Sequence, residues 1–181
     1  YNPDSVLQKS GHGSYVETPN GEVYLVHLTA RPFVPELRCT LGRETAVQKM
    51  VWTEDGWLRM ADGGRLAKMQ VPESGLPKCE MPKIPDYDDF DADTLGNWYY
   101  APRIMPQSFA DVTARPGYVR LRGQESRTSL NRVSILARKL TSLHARITTK
   151  MEFHPEIYQH SAGLILYYDN MNYINLRKYY S

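Results

Sequence analysis

The chain is 181 residues long, 41% hydrophobic and 23% charged, with a formal net charge of +2. That balance is globular rather than disordered, and the length suits one ordinary domain or two small ones. Basic residues are scattered with no run that would make a phosphate-binding stripe, so nucleic acid is not an expected partner. No apolar stretch reaches transmembrane length, so no membrane partner is expected either.

The pattern along the chain is that of strands. No charged segment followed by an apolar one stands at Tyr1, so no signal peptide is visible. Gly13 to Glu17 and Glu22 to Leu28 flank Pro19-Asn20-Gly21, and Asn-Gly is a strong short hairpin signal. Ala46 to Thr53 and Trp57 to Met60 flank Asp55-Gly56, a second turn of this kind. Ala61-Asp62-Gly63-Gly64 then turns the chain towards Arg65 to Met69. Hairpins in such close succession suit a propeller, a sandwich or a barrel.

A break follows. Pro72, Pro77, Pro82 and Pro85 discourage regular pairing over Val71 to Pro85, and Asp86 to Asp93 is strongly acidic. Beyond it the strand pattern resumes at Asn97–Ala101, Tyr118–Arg122, Val133–Lys139 and His144–Phe153. Gly163–Tyr168 then pairs through Asp169-Asn170 with Tyr173–Tyr179. Alternation in Ala145-Arg146-Ile147-Thr148 and Leu164-Ile165-Leu166-Tyr167 reads as an antiparallel sandwich.

Several chemical candidates fail on inspection. Asp86, Asp88, Asp89, Asp91 and Asp93 do not make an EF-hand. Counted from Asp86, the sixth and twelfth positions are Asp91 and Asn97, where Gly and Glu are needed. The acidic run reads as a solvated linker. His27, inside Tyr24-Leu25-Val26-His27-Leu28, reads as a packed strand residue, and His144, His154 and His160 lack zinc-ligand spacing. Ser14 is not in a nucleophile elbow. Cys39 has no adjacent activating base. Cys39 and Cys79 read as two buried free thiols, with a bridge between them as the alternative. Tyr167, Tyr168, Tyr173, Tyr179 and Tyr180 read as sandwich core rather than as a sugar platform.

Two phrases remain, Gly11-His12-Gly13-Ser14 and Leu41-Gly42-Arg43-Glu44-Thr45-Ala46. With their flanks, GHGSYVETPNGEVYLVHLTARP and CTLGRETAVQ, they resemble the late propeller blades of glycoside hydrolase family 43, specifically its β-xylosidases. Asp89-Phe90…Leu95…Trp98, Ala114 to Gly123 and Ser161 to Tyr168 resemble the family's C-terminal sandwich. The resemblance implies an all-β chain, with the last one or two blades of a five-bladed β-propeller followed by a concanavalin-like β-sandwich. The expected division is residues 1–70 for the blades, 71–88 for a proline-rich acidic linker and 89–181 for the sandwich. This chain departs from the family pattern at Ala30, Thr40 and Val23, where Gly, Pro and Trp are often found.

The resemblance also implies chemistry. Family members hydrolyse glycosides with inversion, one carboxylate acting as base on water and a second carboxylic acid protonating the leaving oxygen. In the family these come from earlier blades, so no catalytic residue is expected in this chain and the fragment alone is expected to be inactive. Arg43 matches the arginine that reaches the sugar, and a surface arginine in a turn is its bland alternative. His12 matches a histidine near the propeller axis that contacts a central, largely water-ligated calcium in many members. A buried structural histidine bonded to backbone is the alternative there. Glu44 is expected to support Arg43 rather than to act as an acid. The expected partners are a xylo-oligosaccharide substrate, the N-terminal blades outside these residues and further copies of the protein in a homo-oligomer. The compartment is left between a bacterial cytoplasm and periplasm. A non-catalytic carbohydrate-binding sandwich is the rival reading, although it leaves the two phrases unexplained.

Overall fold

The computed structural model describes residues 4–181. They fall into two compact units. The first runs through Met81 and takes back Leu140–Ala145, and the second holds Pro82–Lys139 and Arg146–Ser181.

The first unit is built on one antiparallel four-stranded sheet in the order β1-β2-β3-β4. The strands are β1 (Gln8–Glu17), β2 (Val23–Ala30), β3 (Glu44–Trp52) and β4 (Leu58–Met60). A four-stranded up-and-down sheet is the build of a propeller blade. Its two hairpin turns use one device twice. In Thr18-Pro19-Asn20-Gly21 the Thr18 N–H donates to Glu22 O at 2.8 Å, and Gly21 N–H returns to Thr18 O at 2.9 Å. In Thr53-Glu54-Asp55-Gly56 the Thr53 N–H donates to Trp57 O at 2.9 Å, and Gly56 N–H returns to Thr53 O at 2.8 Å. Gly21 at φ +80° and Gly56 at φ +77° take the left-handed conformation that completes each turn, which any Cβ would penalise.

The pairing register separates the faces. Val23, Leu25, His27, Gln48, Met50 and Met60 share one face. Of these, Val23, His27, Gln48 and Met50 are buried. Gln48, at 1% exposure, carries the polar part of this core. Its side-chain amide accepts from Lys68 N–H at 3.0 Å and donates to Lys68 O at 3.1 Å. It thereby pairs with residue 68 as a neighbouring strand would. Its amide nitrogen also meets His27 Nε2 at 3.3 Å, and His27 Nδ1 lies 3.1 Å from Leu28 O. A donor on Nε2 and an acceptor at Nδ1 select the Nδ1–H tautomer of His27. The opposite face carries Val16, Val26, Val47 and Val51, all exposed. Val26 and Val47 lie directly opposite each other, and Lys49 stands between Val47 and Val51 on the same face.

Glu22 fastens the hairpin to the segment after the sheet. Its carboxylate pairs with Lys49 Nζ and accepts from Gly75 N–H at 2.8 Å and Asn20 Nδ2 at 2.9 Å. With Lys49 the largest influence, then Gly75 and Asn20, its pKa is held down from 4.5 to about 2.

The second unit has shorter pairings. β5 (Ala110–Asp111) pairs with β6 (Arg120–Leu121), and β7 (Ser161–Tyr167) pairs with β8 (Tyr173–Tyr179), both antiparallel. Tyr100 and Ala137 form an isolated bridge with reciprocal 2.8 Å hydrogen bonds. Phe109, Ala110, Val112, Val133 and Ile135 are its buried apolar residues. Glu152 ties two segments together, accepting from Arg115 Nη1 at 2.6 Å and from the Tyr118 hydroxyl at 3.1 Å. A cavity of about 230 Å³ beside the acidic stretch is lined by Tyr87, Phe90 and Trp98 among others.

Several expectations are corrected. Residues 65–69 form no strand, and the backbone of Lys68 bonds to the Gln48 side chain. Asn97–Ala101 and Val133–Lys139 reduce to the single Tyr100–Ala137 bridge, and Tyr118–Arg122 reduces to β6. His144–Phe153 has the alternation of a strand but finds no ladder partner among the described residues. Both cysteines are free, as expected, but neither is buried: Cys79 is exposed and Cys39 half-buried. Tyr168, Tyr179 and Tyr180 are exposed rather than core, while Tyr167 and Tyr173 are half-buried.

Gln48→Leu should destabilise the chain by about 1–3 kcal/mol, because it orphans His27 Nε2 and both backbone groups of Lys68. A urea titration of wild type and variant checks this, and equal midpoints would remove Gln48 from the polar core. Glu22 should make stability acid-sensitive. Its folded pKa lies below its unfolded value, so its contribution is present above about pH 4.5 and is lost as pH falls towards about 2. The melting temperature of wild type should exceed that of Glu22→Gln near neutrality, and the gap should close across that window.

Candidate functional site

The two phrases come together at one end of the blade-like sheet. In β1 the pairing runs Gln8↔Ala30, Gly11↔Leu28, Gly13↔His27, so β1 carries one extra residue between Gln8 and Gly11 and another between Gly11 and Gly13. These are β-bulges, which re-aim side chains and are frequent beside functional sites. The second extra residue is His12 itself, at φ +49°, and Lys9 within the first bulge lies at φ +54°. Histidine is among the few non-glycine residues enriched in that region.

The flanking glycines differ in why they are needed. A Cβ on Gly13 would lie 2.8 Å from Val26 O and 3.0 Å from His27 Cβ, so β1 can close on β2 after the bulge only with glycine there. Nothing comes within 4 Å of a Cβ on Gly11. The first bulge is fixed by Thr29, whose hydroxyl donates to Gln8 O at 3.1 Å and accepts from Ser10 Oγ at 2.7 Å. The His12 side chain is exposed in this chain.

Arg43 immediately precedes β3, after Gly42 at φ +74°. Because Thr45 and Gly11 both pair with Leu28, Arg43 and His12 stand at the same end of the sheet, on either side of β2. Two strand spacings put β1 and β3 about 10 Å apart. The Arg43 side chain is exposed and has no ion pair or side-chain hydrogen bond among the described residues. Its guanidinium donors are open to solvent.

Glu44 is committed elsewhere. Its two carboxylate oxygens accept from Arg31 Nε and Nη2, both at 2.8 Å. The Arg31 guanidinium, donating first and attracting second, lowers the Glu44 pKa below the usual carboxylate range. A general acid at neutral pH needs a raised pKa. Glu44 is thus a structural carboxylate. Arg31 Nη2 also donates to Thr141 O at 2.9 Å, and the ring of His144 meets Phe33 edge-on at 6.3 Å. Residues 140–145 therefore line the loop that leads to Arg43. Sequence reasoning missed this clasp. Glu44 and Arg31 lie 13 residues apart and Arg31 and Thr141 lie 110 apart, with no local pattern joining them.

A calcium ion does not fit this chain by itself. Calcium takes six to eight oxygen ligands, and no group of three or more His, Cys, Asp or Glu side chains gathers around any point among the described residues. His12 offers one imidazole nitrogen. Two carboxylates of the acidic stretch serve its own turns, Asp88 Oδ1 accepting from Phe90 N–H at 2.9 Å and Asp89 Oδ1 from Asp91 N–H at 3.2 Å.

A blade-like sheet followed by an antiparallel β unit is the build of a propeller fragment joined to a sandwich. Comparison with known proteins agrees. A family model described as glycosyl hydrolases family 43 matches residues 1–58, and one described as the beta xylosidase C-terminal concanavalin A-like domain matches residues 87–181. The chain belongs to glycosyl hydrolase family 43, and its fold is an all-β propeller fragment followed by a concanavalin-like sandwich. It is 36% identical to a beta-xylosidase of Bacillus subtilis (strain 168), covering 98% of this chain and 35% of that protein. It is 40% identical to a putative beta-xylosidase of Escherichia coli (strain K12), covering 94% and 34%. The crystal structure of xylan beta-1,4-xylosidase from Bacillus halodurans C-125 superposes with a TM-score of 0.84 at 44% identity, over 97% of this chain and 34% of that one. The chain thus spans about a third of the length of the proteins it resembles.

Proposed function

We propose that the protein to which this chain belongs is an inverting, exo-acting β-xylosidase that releases xylose from the non-reducing end of short xylo-oligosaccharides. We extend the proposal to α-L-arabinofuranosides, because the two sugars share much of their hydroxyl stereochemistry. The observation that carries it is the pair of family matches, one on each unit, together with relatives named as beta-xylosidases. The uncommitted Arg43 supports it, since a planar guanidinium suits both sugar hydroxyls and a carboxylate.

In this reading the acid and base stand outside these residues, far enough apart to admit the attacking water. This chain supplies binding and orientation. Arg43 donates to the sugar and holds a catalytic carboxylate in place. His12 lends one contact at the centre of the ring of blades, where a calcium would take its other ligands from water. The sheet face with the exposed Val16, Val26, Val47 and Val51 is the surface on which another blade would rest.

Full-length protein should hydrolyse a nitrophenyl β-xyloside, and residues 1–181 alone should not. In the full-length protein, Arg43→Ala should lose about 2–4 kcal/mol of transition-state stabilisation, visible in kcat as well as KM. Arg43→Lys should recover little of it, since an ammonium lacks the planar fork. A kcat/KM within about twofold of wild type for either variant, well short of the tenfold that equals about 1.4 kcal/mol, would take Arg43 out of the site. His12→Ala should lower activity and blunt any loss on chelation. Full activity in chelator-treated wild type and in the variant would dismiss the metal contact.

A further inference from the structure

The clasp beside Arg43 has the geometry of a positioning device. β2 ends at Ala30 and β3 begins at Glu44, with Thr29↔Glu44 as the last rung of their ladder. Residues 31–43 form the loop between them, pinched once by the Phe33–Arg38 bridge. Ends of ladders fray, and a loop of this length leaves its terminal residue loosely placed unless something else closes it. Arg43 is that terminal residue. The Arg31 guanidinium closes the loop on both Glu44 oxygens at 2.8 Å, one residue from Arg43. Its Nη2 also reaches the Thr141 carbonyl at 2.9 Å, anchoring the closure to a segment remote in sequence. By occupying both Glu44 oxygens, Arg31 also removes the carboxylate nearest in sequence that could compete with the ligand for the Arg43 guanidinium.

We propose that Arg31 is a positioning residue for substrate binding, fixing the backbone from which Arg43 reaches the sugar through its paired bonds to Glu44 and its bond to Thr141. This rests on the reading of Arg43 as a sugar contact. Ordinary ion pairs with this degree of exposure contribute little to stability. The role assigned here is one of geometry, and it should show in binding and turnover more than in melting.

A double-mutant cycle on the full-length protein tests it, with wild type, Arg31→Ala, Arg43→Ala and the double variant assayed for kcat and KM on a nitrophenyl β-xyloside. Because Arg31 acts through Arg43, Arg31→Ala should lower kcat/KM by about tenfold in the wild-type background and by less than about twofold where Arg43 is already Ala. Arg31→Lys keeps the charge but cannot span both oxygens and the carbonyl, so it should resemble Arg31→Ala. It also serves as the test variant if the alanine protein does not fold. Additive losses would overturn the positioning role while leaving Arg43 in the site. A near-wild-type Arg31→Lys alongside an impaired Arg31→Ala would overturn it too, since charge alone would then suffice. A near-wild-type Arg43→Ala would overturn both this inference and the reading beneath it.

Discussion

Strand β2 is paired along its length on both edges, with β1 on one side and β3 on the other. That double commitment fixes most of what matters in the first unit. A strand held on two edges cannot slip, because a one-residue shift would turn its side chains to the opposite face. The irregularities therefore fall on its neighbours. β1 absorbs two extra residues as bulges, and the second of them lifts His12 out of the ladder. β3 starts where β2 ends, leaving Arg43 on the threshold of the ladder. The two candidate site residues are displaced from regular structure by the same rigid reference.

What the sequence revealed and what it concealed divide along the range of the interactions. The hairpins around Asn20-Gly21 and Asp55-Gly56 were legible because a turn is decided by a few adjacent residues, and each Thr-x-x-Gly tip closes its own hydrogen bonds. His27 was legible as a packed strand residue. The short pairings of the second unit were overestimated. Alternation such as Ala145-Arg146-Ile147-Thr148 reports a side-chain pattern, whereas a ladder also needs a partner strand, which local sequence cannot supply. The same limit hid the bonds from Gln48 to Lys68, from Glu22 to Gly75 and from Arg31 to Thr141.

At the candidate site, His12 and Arg43 were singled out through a family resemblance and not through any local chemical rule. The structure adds physical reasons for parts of those phrases. The second glycine of Gly11-His12-Gly13 is required by the approach of β2, and the first is not. Glu44 earns its place beside Arg43 by receiving Arg31. The acidic run at Asp86 to Asp93 shows the opposite case, where two members of a conspicuous charge cluster, Asp88 and Asp89, cap their own turns.

The two bulges of β1 have a consequence for how this strand tolerates insertion and deletion. Each bulge takes up one extra residue locally, and the residues beyond it keep the faces set by their partners in β2. Gln8 and Ala30 lie opposite each other, as do Glu17 and Val23, yet β1 spends nine steps where β2 spends seven. Removing one residue between Lys9 and His12 would leave the hairpin tip intact, with Tyr15 and Glu17 still opposite Leu25 and Val23, and would displace the chain before the deletion, so that Gln8 no longer meets Ala30 and the Thr29 hydroxyl. Tyr15 would keep its edge-on contact with the Trp52 ring at 5.7 Å, and Glu17 would keep the Trp52 indole N–H at 3.1 Å. A single-residue change here is thus felt on the side of the strand's start and at His12 itself, while the ladder from Gly13 to the turn keeps its register.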